Sequence, residues 1–140
     1  MHETPIGLVP YLTIHGGKAD EALDFYESAF GAEVLMRNHG EDAPGMDAGG
    51  KLIHGRMRVN GALIFLSDDF PEWKGGVETP PPAAVTLHLQ VDDVEAWWER
   101  AVAAGCSIRF PLADQFWGDR YGQLGDPYGH TWSLGQTLRR

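Results

Sequence analysis

Two stretches of the chain carry the apolar spacing of an amphipathic helix. In Lys18 to Phe30, the residues Leu23, Tyr26 and Phe30 fall at i, i+3 and i+7, and Gly31 follows as the residue best able to take a left-handed stop. In Asp92 to Ala104, Val94, Trp97, Trp98 and Ala101 fall at i, i+3, i+4 and i+7. There Asp92 is placed to cap, Glu95 completes a capping-box-like pair, and Gly105 ends the run. Before the helices come LVPYLTI and AVTLHLQV, after them AEVLMR and CSIRF, all alternating or β-branched enough to be strands. Asn60-Gly61 then separates two strand-like runs in HGRMRVNGALIFLS, a type I′ hairpin signal. In the second half, Asp126-Pro127-Tyr128-Gly129 has the chemistry of a type I turn.

Each half therefore reads strand, helix, strand, strand, strand, and the equivalent helix positions Ala22 and Ala96 lie about half the chain apart. The predicted class is α+β, one domain over 1–140 made of two tandem βαβββ modules. Module one covers about 7–68, a linker about 69–83, and module two about 84–137. Three consecutive prolines stiffen that linker. The Gly- and Pro-containing stretch Asn38 to Gly50 reads as a loop or lid.

Strand alternation sorts the polar residues. In HGRMRV, the side chains of His54, Arg56 and Arg58 share one face, opposite Met57 and Val59. In AVTLHLQV, Thr86, His88 and Gln90 face away from the helix layer, while Val85, Leu87, Leu89 and Val91 face it. By the same count Trp132 and Leu134 are core, and Thr131 and Ser133 are not. Phe116, Trp117 and Tyr121 supply rings near a glycine-rich hairpin, a wall suited to flat or cationic ligands. His130 is expected to pack, and His15 and His39 to be solvated in turns. The pairs Asp68-Asp69 and Asp92-Asp93 read as structural, because neighbouring strand residues face opposite ways.

Composition narrows the partners. The chain has 140 residues with formal net charge -9, which disfavours phosphate backbones and anionic lipid, so no nucleic acid or membrane partner is expected. The single cysteine, Cys106, excludes an intrachain disulfide and reads as a buried apolar side chain. The start of the chain lacks the basic flank and apolar run of a signal peptide, giving a cytoplasmic expectation. No G-x-S-x-G elbow or P-loop occurs, and no G-x-G-x-x-G stands between strand and helix.

The stretches ALDFYESAFGAEVL, VDDVEAWWERAVAAG and GDPYGHTWSL resemble the vicinal oxygen chelate superfamily, which includes glyoxalase I, bleomycin-resistance proteins and extradiol dioxygenases. QFWGDRYGQLGDPYGHTW is similar to its PhnB-like branch. The resemblance implies paired modules whose mixed sheets curve into a cup around a small-molecule ligand, often in a homodimer. It also implies metal ligands on the first, fourth, fifth and eighth strands. Those positions fall on Val9 or Pro10, Phe65, Thr86 and Ser133, so no metal and no cofactor is expected.

The resulting expectation is a cup that binds a small aromatic or cationic molecule through His54, Arg56, Phe65, Thr86, His88, Trp117, Tyr121 and Ser133. No catalytic residue is assigned. The alternative is a lyase, isomerase or dioxygenase relative in which His88 acts as metal ligand or general base. There His54 and Arg56 would polarise an oxyanion, with Asp68 as a further ligand of a displaced centre.

Overall fold

The computed structural model describes residues 7–41, 45 and 48–139; residues 1–6, 42–44, 46–47 and 140 lie outside the described residues. Much of the expected loop from Asn38 to Gly50 and the first residues of the chain therefore fall outside them. By contact the chain divides into two units, one of Met1–Glu27 with Gly31–Thr79, the other of Ser28–Phe30 with Pro80–Arg140.

In the first unit, β1 (Tyr11–Ile14) leads to α1 (Ala19–Phe30), then β2 (Glu33–Asn38), β3 (His54–Val59) and β4 (Ala62–Asp68). The sheet order is β1-β4-β3-β2, with β1 parallel to β4 and the other pairs antiparallel. Leu12, Ile14, Met57, Val59, Ile64 and Leu66 fill its covered face, as period-two alternation requires. The helix side is marked at Gly55, where an added Cβ would stand 3.2 Å from Leu23 Cδ1. Asn60 and Gly61 both take positive φ, 48° and 84°, as a type I′ turn demands. Gly31 ends α1 in the left-handed region at φ 66°.

The second unit repeats the plan with β5 (Thr86–Gln90), α2 (Val94–Ala104), β6 (Ser107–Asp114), β7 (Asp119–Gly125) and β8 (Thr131–Thr137), in the order β5-β8-β7-β6. Two four-stranded mixed sheets, each with one helix, give an α+β fold of tandem modules. Trp132, Leu134, Leu124, Val94 and Ala101 are fully enclosed. The Trp132 indole N–H donates to Asp126 Oδ2 at 2.9 Å, so the largest buried ring has its polar atom satisfied.

The repeat extends to the way the helices start. In the first unit the last residue of β4, Asp68, accepts the Ala19 amide at 2.9 Å through Oδ1 and the Leu52 amide at 2.8 Å through Oδ2. In the second, Gln136 near the end of β8 accepts the Val94 amide at 2.9 Å. Orphan amides of each first turn are thus satisfied from a strand.

Several expectations change. The cap of α2 is Asp93, whose side chain accepts from Ala96 at 3.3 Å, because the chain leaves β5 at Gln90 and turns one residue later than Asp92. Glu95 pairs instead with Arg120. β1 begins at Tyr11, since Pro10 has no N–H for the ladder and only its carbonyl pairs, with Phe65 at 2.9 Å. His15 and His39 are not solvated turn residues: His15 Nε2 donates to the Thr79 carbonyl at 2.6 Å, and His39 Nε2 meets Asp20 at 2.7 Å.

The segment after β4 is tied to its own unit. Buried Asp69 accepts from Lys74 Nζ at 2.7 Å, from the Thr79 amide at 2.8 Å and from the Thr79 hydroxyl at 2.8 Å. The Lys74 ammonium holds its carboxyl well below the usual carboxylate range, burial opposes this, and the Thr79 donors add to the lowering. Among the described residues no helix is long and apolar enough to cross a membrane.

Candidate functional site

Each sheet has one face turned away from its helix, and both of these open faces hold organised polar and aromatic side chains. In the first unit Tyr11, His54, Arg56 and Phe65 come together because Phe65 on β4 is the register partner of Tyr11 on one side and Arg56 on the other. Tyr11 Oη lies 2.8 Å from His54 Nδ1, and Arg56 Nε donates to His54 Nε2 at 2.9 Å. A guanidinium N–H can only donate, so Nε2 is the acceptor and the ring hydrogen is on Nδ1, which donates to Tyr11. Burial, with Arg56 adding to it, pushes the His54 pKa down and keeps the ring neutral. The Phe65 ring supports the group, with the Arg56 guanidinium 4.7 Å from its centroid and His54 edge-on at 4.8 Å. Burial likewise raises the Tyr11 pKa.

In the second unit the register pairs His88 with Ser133 and Gln90 with Gly135 across β5 and β8, and Ser133 with Gln123 across β8 and β7. His88 Nε2 meets Gln90 Oε1 at 2.7 Å, and an amide oxygen only accepts, so the hydrogen is on Nε2. In the neutral ring, Nδ1 then accepts from the Ser133 hydroxyl at 2.7 Å. The row continues through Gln90 Nε2, which donates to Thr137 at 3.1 Å. Gly135 makes it possible: its backbone needs no positive φ, but a Cβ there would stand 2.9 Å from His88 Cε1 and 2.8 Å from Gln90 Oε1.

Tyr121 is the hub of the rings on this face. It stacks on His88 at 5.8 Å and 22°, and meets Trp117 at 5.5 Å and Phe110 at 6.4 Å, with its hydroxyl accepting from Gln123 at 3.0 Å. Phe110 and Trp117 are about half exposed, and Phe116 is almost wholly so.

The residues singled out by sequence thus fall into two groups. His54, Arg56 and Phe65 are joined in the first unit; His88, Ser133, Tyr121 and Trp117 are joined in the second. Thr86 is exposed at the other end of β5, paired with Thr131. Asp68 belongs to neither group, since both its oxygens bind backbone amides. Tyr11, Phe110 and Gln123 join these clusters without having been singled out, because register brings them there, and Gln90, which alternation had placed on the open face, joins through His88. Among the described residues no three of His, Cys, Asp and Glu converge in a metal-binding arrangement.

Residues 8–134 match the Glyoxalase/Bleomycin resistance protein/Dioxygenase superfamily. Protein Rv0887c of Mycobacterium tuberculosis is 46% identical over 136 residues, covering 94% of this chain and 75% of that protein. Among solved structures, protein PA1353 from Pseudomonas aeruginosa is similar with TM-score 0.78 and 26% identity, over 96% of this chain and 100% of that one. A PhnB protein from Bacillus cereus is similar with TM-score 0.67 and 26% identity, over 93% of this chain and 98% of that one.

Proposed function

The chain belongs to the glyoxalase, bleomycin resistance and dioxygenase superfamily, and from that premise we propose that it is a PhnB-like binding protein. It takes up a small aromatic or cationic molecule on an open sheet face. It does so without the divalent ion common in the superfamily. One observation carries this reading: the half-exposed rings around Tyr121 adjoin a fully hydrogen-bonded row of His88, Gln90 and Ser133. A monomer surface seldom leaves that much aromatic area uncovered without a partner for it.

The donor chemistry does not fit the superfamily's metal. Of the four positions carried over, Val9 or Pro10 and Phe65 have no donor atom, and Thr86 and Ser133 offer only hydroxyls, that of Ser133 already given to His88. Both nitrogens of His54 and of His88 are likewise engaged by neighbours, which leaves neither ring a free lone pair for metal or substrate.

A thermal-shift screen of flat aromatic and cationic compounds tests the reading. A true ligand at about 100 times its dissociation constant stabilises by about 2.7 kcal/mol, and Tyr121→Ala should abolish the shift. If the purified protein instead carries stoichiometric zinc, nickel or iron that His88→Ala releases, the enzyme alternative replaces this one. The expected homodimer is checked in the same preparation by sedimentation equilibrium.

A further inference from the structure

We infer that the ligand of the second unit carries an oxyanion, a carboxylate on a flat ring, and that Arg109 is its anchor. The inference rests on the binding reading above and narrows it to one chemical class.

A break in β6 comes first. Ile108 pairs with Leu124, but Phe110 pairs with Gln123, so two steps on β6 match one on β7 and Arg109 is the extra residue of a bulge. In an unbroken strand Arg109 and Phe110 would face opposite ways. Here both reach the open face. Phe110 touches Tyr121, and the Arg109 guanidinium donates to the hydroxyl of Thr131, two residues along the same strand face from Ser133.

Gly125 is the second device. Its backbone needs no positive φ, so glycine is there for space: the Cζ and Nη2 atoms of Arg109 stand 2.7 Å from the site of a Cβ. The guanidinium lies flat over β7 where any other residue would lift it. Alternation from Ile108, the partner of buried Leu124, points Arg109 to the open face, and the bulge brings the Phe110 ring onto the same face beside it, so bulge and glycine together set a cation next to an aromatic ring.

That charge meets no carboxylate among the described residues. Arg37, Arg58 and Arg120 each have a carboxylate partner, whereas Arg109 has none among the described residues and is exposed. A carboxylate matches the guanidinium fork with two parallel hydrogen bonds. The chain's net charge of -9 opposes an anion only at long range, because charges beyond about 8–10 Å are screened at physiological salt. The direct pair therefore outweighs it. At about 3.3 Å per residue, one to two same-face steps separate the guanidinium from the rings of Phe110 and Tyr121, roughly 7–13 Å. A bicyclic aromatic acid spans that distance.

Three probes of one shape provide the test: 2-naphthoate, 2-naphthamide and 2-naphthyltrimethylammonium, titrated calorimetrically into the full chain. Naphthoate should bind at least about tenfold more tightly than the other two. Arg109→Gln should bring naphthoate down to the affinity of the amide and leave the amide unchanged. Gly125→Ala should weaken naphthoate alone, by displacing a guanidinium that is still present, and unchanged thermal unfolding would show that both variants fold. Equal or tighter binding of the ammonium probe, or naphthoate binding indifferent to Arg109→Gln, overturns the anionic assignment while ring binding stands. If none of the three binds, and Tyr121→Ala alters no ligand found in the screen, the binding reading falls with it.

Discussion

Arg56 donates its Nε–H to His54 Nε2 at 2.9 Å, so a neighbour on the same strand face determines which imidazole nitrogen keeps a hydrogen. The Tyr11 hydroxyl, 2.8 Å from Nδ1, receives that hydrogen. Protonating Nε2 would place a second donor against the guanidinium and break the arrangement.

The pH dependence follows. The folded His54 pKa is depressed below the ordinary 6.5, first by burial and then by Arg56. Between the folded and unfolded values the unfolded chain binds the extra proton, so stability complete above about 6.5 is lost as pH falls toward the folded value. His54→Asn, which cannot titrate, should be less stable than the parent at neutral pH, and the gap should narrow on acidification. Urea unfolding of both proteins from about pH 7.5 to about pH 5 measures it; a gap of constant size would show that His54 is not held neutral.

Asp69→Ala should cost about 1–3 kcal/mol, because it leaves the Thr79 amide without its acceptor and Lys74 without its carboxylate. The loss should be local first. Limited proteolysis should cut within residues 70–79 in the variant at protease levels that spare the parent, and hydrogen exchange there should rise. With the Asp69 carboxyl held low, this anchoring persists well below neutral pH in the parent and disappears only as pH falls through the folded value.

Two glycines make a contrasting pair. An added Cβ at Gly122 would stand 2.6 Å from the Trp98 ring and 3.0 Å from the Leu112 backbone, on the helix side. Gly122→Ala should therefore destabilise by about 1–3 kcal/mol, as overpacking does. Gly135→Ala meets the side chains of His88 and Gln90 first, and these can swing outward into solvent. It should change stability by less than about 1 kcal/mol while breaking the His88–Gln90 contact and weakening any ligand that lies on the row. Melting curves and the same calorimetric titrations separate the two outcomes.

Cys106 should be inert. Burial, with the Asp126 charge adding to it, pushes its thiol up to about 12, so almost no thiolate exists at neutral pH. Labelling by an aromatic disulfide reagent should be slow in the folded protein and fast after denaturation. Rapid native labelling would mean that the second unit opens near β6.

By itself the sequence determined the repeat, the class of each element, and which side of most strands is covered. These features depend on contacts between residues close in the chain. Period-two and helical spacing, Asn60-Gly61 at one hairpin and Gly31 at a helix end are each read within a few residues. Even so, the α2 cap moved from Asp92 to Asp93, because the exact turn-in point depends on where β5 stops pairing.

Only the tertiary structure decided who meets whom on the open faces. Tyr11 and His54 are 43 residues apart, and His88 and Ser133 are 45 apart. Alternation placed His54, Arg56, His88 and Ser133 on the right sides, but lateral register between strands selected their partners. Phe110 shows the limit most clearly. Its facing is set by a bulge, an irregularity that exists only in the pairing of β6 with β7 and leaves no periodic trace along the chain. Local spacing tells a side chain which way to point; the neighbouring strand determines what it finds there.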